Sequence, residues 1–202
     1  MRAVFDFIVK PIGDRYTNKV SVGDKELITN TRIDNFKQVN NVAEVIAIPL
    51  AIKTNIKVGD KIIIHHNIFR RFHDIKGVQK NSRSYFKEDM YFVSLDQIYL
   101  YGDFNKWESI NDRCFIKPIK NIDSFKLDKE RKLIGILKYG NSSLNALNIS
   151  PGDIVGYTPN GEYEFIIDSQ RLYCMKSNDI VIKYEYKGDE TEYNPSWAQG
   201  GS

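Results

Sequence analysis

Apolar and polar residues alternate along most of this chain. The alternation comes in short runs rich in Ile, Val, Tyr and Phe, broken at short intervals by Gly, Asn, Asp or Pro. A period of two puts successive side chains on opposite faces of an extended backbone, so the pattern predicts short antiparallel strands. The runs fall at 4–12, 41–48, 61–66, 84–93 and 98–101, then at 114–119, 133–139, 154–158, 163–168, 171–175 and 181–186. The helical period is almost absent. An all-β chain with short connections buries its core as a barrel or a sandwich.

The runs repeat. Phe7-Ile8-Val9-Lys10-Pro11-Ile12 recurs as Cys114-Phe115-Ile116-Lys117-Pro118-Ile119, and the strand from Val42 to Ile48 is echoed from Leu133 to Tyr139. Asn55-Ile56-Lys57-Val58-Gly59-Asp60-Lys61-Ile62 returns as Asn148-Ile149-Ser150-Pro151-Gly152-Asp153-Ile154-Val155, and the stretch from Met90 to Ile98 returns from Leu172 to Ile180. The four blocks keep their order, with offsets of 107, 91, 93 and 82 residues. A shrinking offset means that the second copy has lost loop length. The expected organisation is therefore two small β-barrels in tandem, residues 1–104 and 110–187, with a linker at 105–109 and an acidic tail at 188–202. The tail has turn formers and no periodicity, which predicts disorder, with Trp197 as its one candidate anchor.

Composition fits a folded chain: 42% of the 202 residues are hydrophobic and 27% are charged. The longest nearly apolar run, 45–52, is far shorter than a membrane span. Cys114 and Cys174 make no CxxC pair and no disulfide framework, so a reducing cytoplasm is expected. The net charge is only +3, but residues 68–87 carry six cations against the single Asp74. Arg70, Arg71, Lys76, Lys80 and Arg83 with Phe69, Phe72, Tyr85 and Phe86 form the pattern of a nucleic-acid surface. A solvated strand or loop has the same composition.

Catalytic chemistry is not visible. His65, His66 and His73 are the only histidines, and the adjacent pair on a strand is expected to point to opposite faces, which makes no metal site. Glycine-rich phosphate loops and dinucleotide fingerprints are missing, so neither an enzyme nor a cofactor site is expected.

The blocks resemble the GroES-type co-chaperonin (chaperonin-10) family in its tandem form. That family opens with DRVxVKxxx, continues through a long loop, a GxVxxVG strand and a V-x-x-GD-x-V-x-F element, and closes on VLIMxxxDIL. The opening is matched by Asp112-Arg113-Cys114-Phe115-Ile116-Lys117, and more loosely by the stretch from Phe5 to Lys10. Val58-Gly59-Asp60-Lys61-Ile62-Ile63-Ile64 matches the GD element, and the stretch from Leu172 to Val181 matches the closing pair. The resemblance implies two irregular β-barrels in a homo-oligomeric ring, expected to be a heptamer. It also implies a cap on an ATP-driven chaperonin of the GroEL type, as in plastid double-domain or phage-encoded caps. For a phage protein the compartment is the host cytoplasm.

The resemblance also places the contact. Residues 13–40 form a connection much longer than the usual 12–15-residue limit for a compact domain, and by resemblance this is the mobile loop. Leu27 and Ile28, flanked by Glu26 and Thr29, are one candidate apolar tip; Val20 and Val22 are the other. The alternative is that 26–33 is an ordinary strand of the barrel. The matching connection in the second copy, 120–132, is short and offers Phe125 and Leu127. The first copy is thus expected to contact the chaperonin and the second to be structural. Two rivals stay open: a nucleic-acid-binding tandem barrel, and a ring-forming phage structural protein.

Overall fold

A computed structural model describes residues 2–16, 38–103, 106–122, 129–188 and 190–199, together with the backbone of 19–22 and 25–28. The chain is all-β and divides into two compact units, Met1–Trp107 and Glu108–Ser202.

The main sheet of the first unit runs in the order β11 (Lys106–Ser109, which crosses the unit boundary after Trp107), β10 (Ile98–Asp103), β5 (Lys61–Ile64), β4 (Val42–Ala47), β1 (Phe7–Pro11), β9 (Met90–Val93), β8 (Tyr85–Lys87). Two hairpins form their own small sheets: β2 (Lys19–Val22) with β3 (Lys25–Ile28), and β6 (Arg71–His73) with β7 (Gln79–Asn81). In the second unit one sheet runs β17 (Ile180–Tyr184), β14 (Ile154–Tyr157), β13 (Glu130–Tyr139), β12 (Arg113–Lys120), β16 (Gln170–Lys176), β15 (Tyr163–Ile167). Without β11, the two large sheets have the same strand order.

The registers match as well. Val9 pairs with Tyr91 as Ile116 pairs with Tyr173, and Tyr101 pairs with Ile62 as Lys183 pairs with Val155. One block of the sequence alignment needs correction. Ala43, which pairs with Pro11, corresponds to Gly135, which pairs with Pro118, so that block is offset by 92 residues rather than 91. The cause is Leu133: it is exposed and has φ +61, so it lies in an irregular stretch of β13 and does not begin the inward alternation. With the corrected offset, buried Ala43 and Val45 fall on Gly135 and buried Leu137.

The Gly-Asp turn before β5 and β14 is the most closely repeated detail. Gly59 and Gly152 have φ of +91 and +98, a region open to glycine at little cost. Their amides donate to the carbonyls of Val45 and Leu137, both at 2.8 Å. The carboxylates of Asp60 and Asp153 accept from the amides of Lys57 and Ser150, both at 2.7 Å.

Three expectations are corrected. The run 84–93 is a hairpin and not one strand, because Glu88 and Asp89 both take positive φ (45 and 59) and turn the chain between β8 and β9. The strand expected over 61–66 ends at Ile64; the rings of His65 and His66 then stack 4.3 Å apart instead of facing opposite ways. The described part of the tail, 190–199, does not hang free. Tyr193 donates to the Pro118 carbonyl, Lys120 donates to the Thr191 carbonyl, and Pro195 and Ala198 are buried. Its composition hid this because the anchoring is by main-chain bonds and small apolar side chains rather than by a periodic pattern.

Candidate partner-binding site

The connection between β1 and β4 is closed at its base by side chains from both ends. Asn40 donates from Nδ2 to the carbonyls of Ile12 (2.8 Å) and Asp14 (2.9 Å), and its Oδ1 accepts from the Val42 amide (2.8 Å). The Asn40 amide donates to the Arg15 carbonyl at 2.9 Å, and Tyr16 bridges to buried Val39. These bonds satisfy backbone groups that a loop entrance would otherwise leave to water, and they form a fixed neck.

Beyond the neck stands the β2–β3 hairpin. Val20 lies opposite Leu27, Ser21 opposite Glu26, Val22 opposite Lys25, and Lys19 opposite Ile28. The two candidate tips are thus the two arms of one hairpin. β3 pairs with β2 alone and not with the main sheet, so 26–28 is not part of a strand of the large sheet, and the rest of 26–33 lies outside the described residues. Thr29 lies outside the described residues, as do Phe125 and Leu127.

The second unit closes its shorter connection differently. Asn121 donates to the Lys129 carbonyl at 2.9 Å. Glu130 next to it is held by the Arg171 guanidinium (2.6 Å) and the Tyr173 hydroxyl (2.7 Å). Arg171 also reaches Glu164 at 2.7 Å and lies 5.7 Å from the Trp197 ring. The tail therefore backs this neck from the other side.

The basic segment 68–87 includes the β6–β7 hairpin, an insertion that the second unit lacks between β14 and β15. Its base is bound to the loop neck. Arg15 donates from Nε and Nη2 to the Phe69 carbonyl and from Nη1 to Asn81 Oδ1 at 2.9 Å, and the Arg71 amide donates to the Tyr16 hydroxyl at 2.6 Å. Sequence reasoning missed these links, because Arg15 and Tyr16 lie more than fifty residues from their partners and no local pattern marks them. Of the aromatics proposed for base stacking, Phe69 is fully buried against Tyr91 and cannot serve. Phe86 leans on Phe92 at 4.9 Å, which leaves Phe72 as the open ring of the hairpin itself.

Burial shifts several titratable groups. Burial pushes both cysteine thiols up to about 12, which leaves them protonated and unreactive. His66 is pushed down to about 4 by burial and by neighbouring His65 and Arg70. Among the described residues, no group of three or more His, Cys, Asp or Glu side chains is placed to hold a metal ion. No helix of the described residues is long and apolar enough to cross a membrane.

A second surface feature is apolar. Val4 and Phe5 are 55% and 71% exposed, and with Ile8, Phe86 and Phe92 they line a trough of about 320 Å³ flanked by Arg2 and Asp6.

Comparison with models of known protein families and with curated proteins gives no match.

Proposed function

We propose that this chain is a co-chaperonin: two GroES-like irregular β-barrels in tandem that cap an ATP-driven chaperonin of the GroEL type. The observation that carries the reading is the β2–β3 hairpin, which lies between β1 and β4 behind a pinned neck and has no counterpart among the described residues of the second unit, although the two units share a strand order. A firm base with a separate hairpin suits a contact that is remade in each ATP cycle, where modest affinity per site is wanted. Several copies in a homo-oligomeric ring turn weak contacts into tight but reversible capping. The exposed Val4–Phe5 trough supports self-association, since contiguous apolar surface on a monomer marks an interface. The chain itself has no catalytic role in this reading; ATP is bound and hydrolysed by the chaperonin.

The test is gel filtration of the protein with a purified GroEL-type chaperonin. Co-elution is expected with ATP and not without nucleotide. A Leu27→Ser, Ile28→Ser variant is expected to lose co-elution while keeping its own oligomeric state. Failure of the unmodified protein to co-elute under any nucleotide condition would overturn the reading.

A further inference from the structure

The loop neck and the basic hairpin are one structural unit. The guanidinium of Arg15 and the hydroxyl of Tyr16, both in the neck, bind the backbone and side chains of Phe69, Arg71 and Asn81 at the foot of β6–β7. The β6–β7 turn is set by Asp74, whose Oδ1 accepts from the amides of Lys76 and Val78, both at 2.9 Å. The anion of this segment is thus engaged in shaping the turn.

Most of the cations lack a carboxylate partner among the described residues, although Lys87 lies 5.6 Å over the Phe86 ring. Arg70, Arg71, Lys76, Arg83 and Lys87 make no ion pair with a described carboxylate, and Lys80 reaches only Asp74, at 3.9 Å. In the second unit several cations are answered: Arg171 by Glu130 and Glu164, Lys183 by Asp153, and Lys117 by Glu192. Residues 68–87 carry +5 in a chain of +3, so the remainder is −2. An unanswered cluster of this size on a preformed turn attracts an anionic surface. Phe69 is buried, and the exposed rings of Tyr85 and Phe86 lean on Tyr91 (5.5 Å) and Phe92 (4.9 Å), so Phe72 is left as the open ring for a stacked base and an acidic protein face is favoured over a nucleic acid.

We infer that the β6–β7 hairpin is a second docking element, one that engages an acidic strip on the same chaperonin that receives the β2–β3 hairpin. This rests on the co-chaperonin reading and adds an electrostatic contact to it. Lys76 and Lys80 sit on the turn and on β7, with exposed side chains.

The experiment measures binding of the full chain to a GroEL-type chaperonin with ATP, at about 50 and about 200 mM salt, where exposed charges are screened to different degrees. A Lys76→Glu, Lys80→Glu variant is expected to bind about tenfold more weakly at the lower salt and to approach the unmodified protein at the higher. Its unchanged melting profile confirms that it folds. If its affinity and salt dependence equal those of the unmodified protein while Leu27→Ser, Ile28→Ser abolishes binding, the second contact is refuted and the co-chaperonin reading stands. If the unmodified protein does not bind the chaperonin at all, both fall. If instead it binds a fluorescent oligothymidine with steep salt dependence that the double variant loses, the hairpin's partner is nucleic acid and the inference is overturned.

Discussion

Arg15 holds the main-chain carbonyl of Phe69 with two nitrogens, Nε at 3.2 Å and Nη2 at 2.8 Å. Fifty-four residues separate the pair, and the bond fastens the entrance of the long connection between β1 and β4 to the foot of the β6–β7 hairpin. A lysine has one compact ammonium and cannot reproduce the fork. Arg15→Lys is expected to destabilise the first unit by about 1–2 kcal/mol, read as a lower urea midpoint. The Arg71 amide, which donates to the Tyr16 hydroxyl, should exchange faster with solvent. An unmoved midpoint and unchanged exchange would show that the neck stands without it.

Gly135 and Gly59 differ in what a side chain would meet. A Cβ at Gly135 would lie 2.2 Å from Ile116 Cγ2 and 2.6 Å from the Lys117 carbonyl oxygen, whereas at Gly59 it meets nothing within 4 Å. Gly59→Ala is expected to cost about 1–2 kcal/mol through its left-handed backbone alone. Gly135→Ala should cost about 1–3 kcal/mol or more from overpacking. Calorimetry of the two variants should show the loss in different units.

His66 gives a pH dependence whose sign follows from its environment. Its usual value of 6.5 is lowered to about 4 in the fold, chiefly by burial, so the folded chain prefers the neutral ring. The stabilisation is fully present above pH 6.5 and is lost as the pH falls from there toward 4. A His66→Gln variant should lose less stability over that window than the unmodified protein. Equal losses in the two proteins would assign the acid sensitivity to other groups.

The tail predicts a truncation effect. A chain ending at Lys187 lacks the bonds from Tyr193 and Thr191 to β12, the Asn194 side chain on the Arg171 amide, and buried Ala198. The second unit is expected to lose about 2–4 kcal/mol, at about 1 kcal/mol per main-chain bond plus the apolar area uncovered. The first unit's transition should stay where it was.

The buried thiols give the simplest check. Cys114 and Cys174 should resist iodoacetamide in the folded protein and react together once the second unit is unfolded by urea.

Much of the scaffold was legible because it depends on alternation, and alternation survives substitution. Phe7 and Cys114 share little chemistry, yet both are fully buried at the same register position. The irregularity at Leu133 was not legible, since an apolar residue in an irregular stretch reads like one in the core. Neither was the turn at Glu88 and Asp89, where the positive φ occurs without the Asn or Gly that usually announces it. The long connection was legible from its length and its candidate tips from the resemblance, but the pairing of Val20 with Leu27 was not, because two short apolar groups separated by Gly23 and Asp24 also fit two independent tips. The ties from Arg15 and Tyr16 depend on three-dimensional proximity that no one-dimensional pattern encodes.

The twice-made Gly-Asp turn makes each molecule its own control. Matching bonds at 2.7 and 2.8 Å recur although the flanking residues have drifted, with Lys57 and Val58 in one copy and Ser150 and Pro151 in the other. A change introduced at one turn can be weighed against the untouched twin in the same tube, at the same concentration and temperature. The same two small residues set this turn in both halves, while one half carries a charged hairpin and the other folds its end back onto its own sheet.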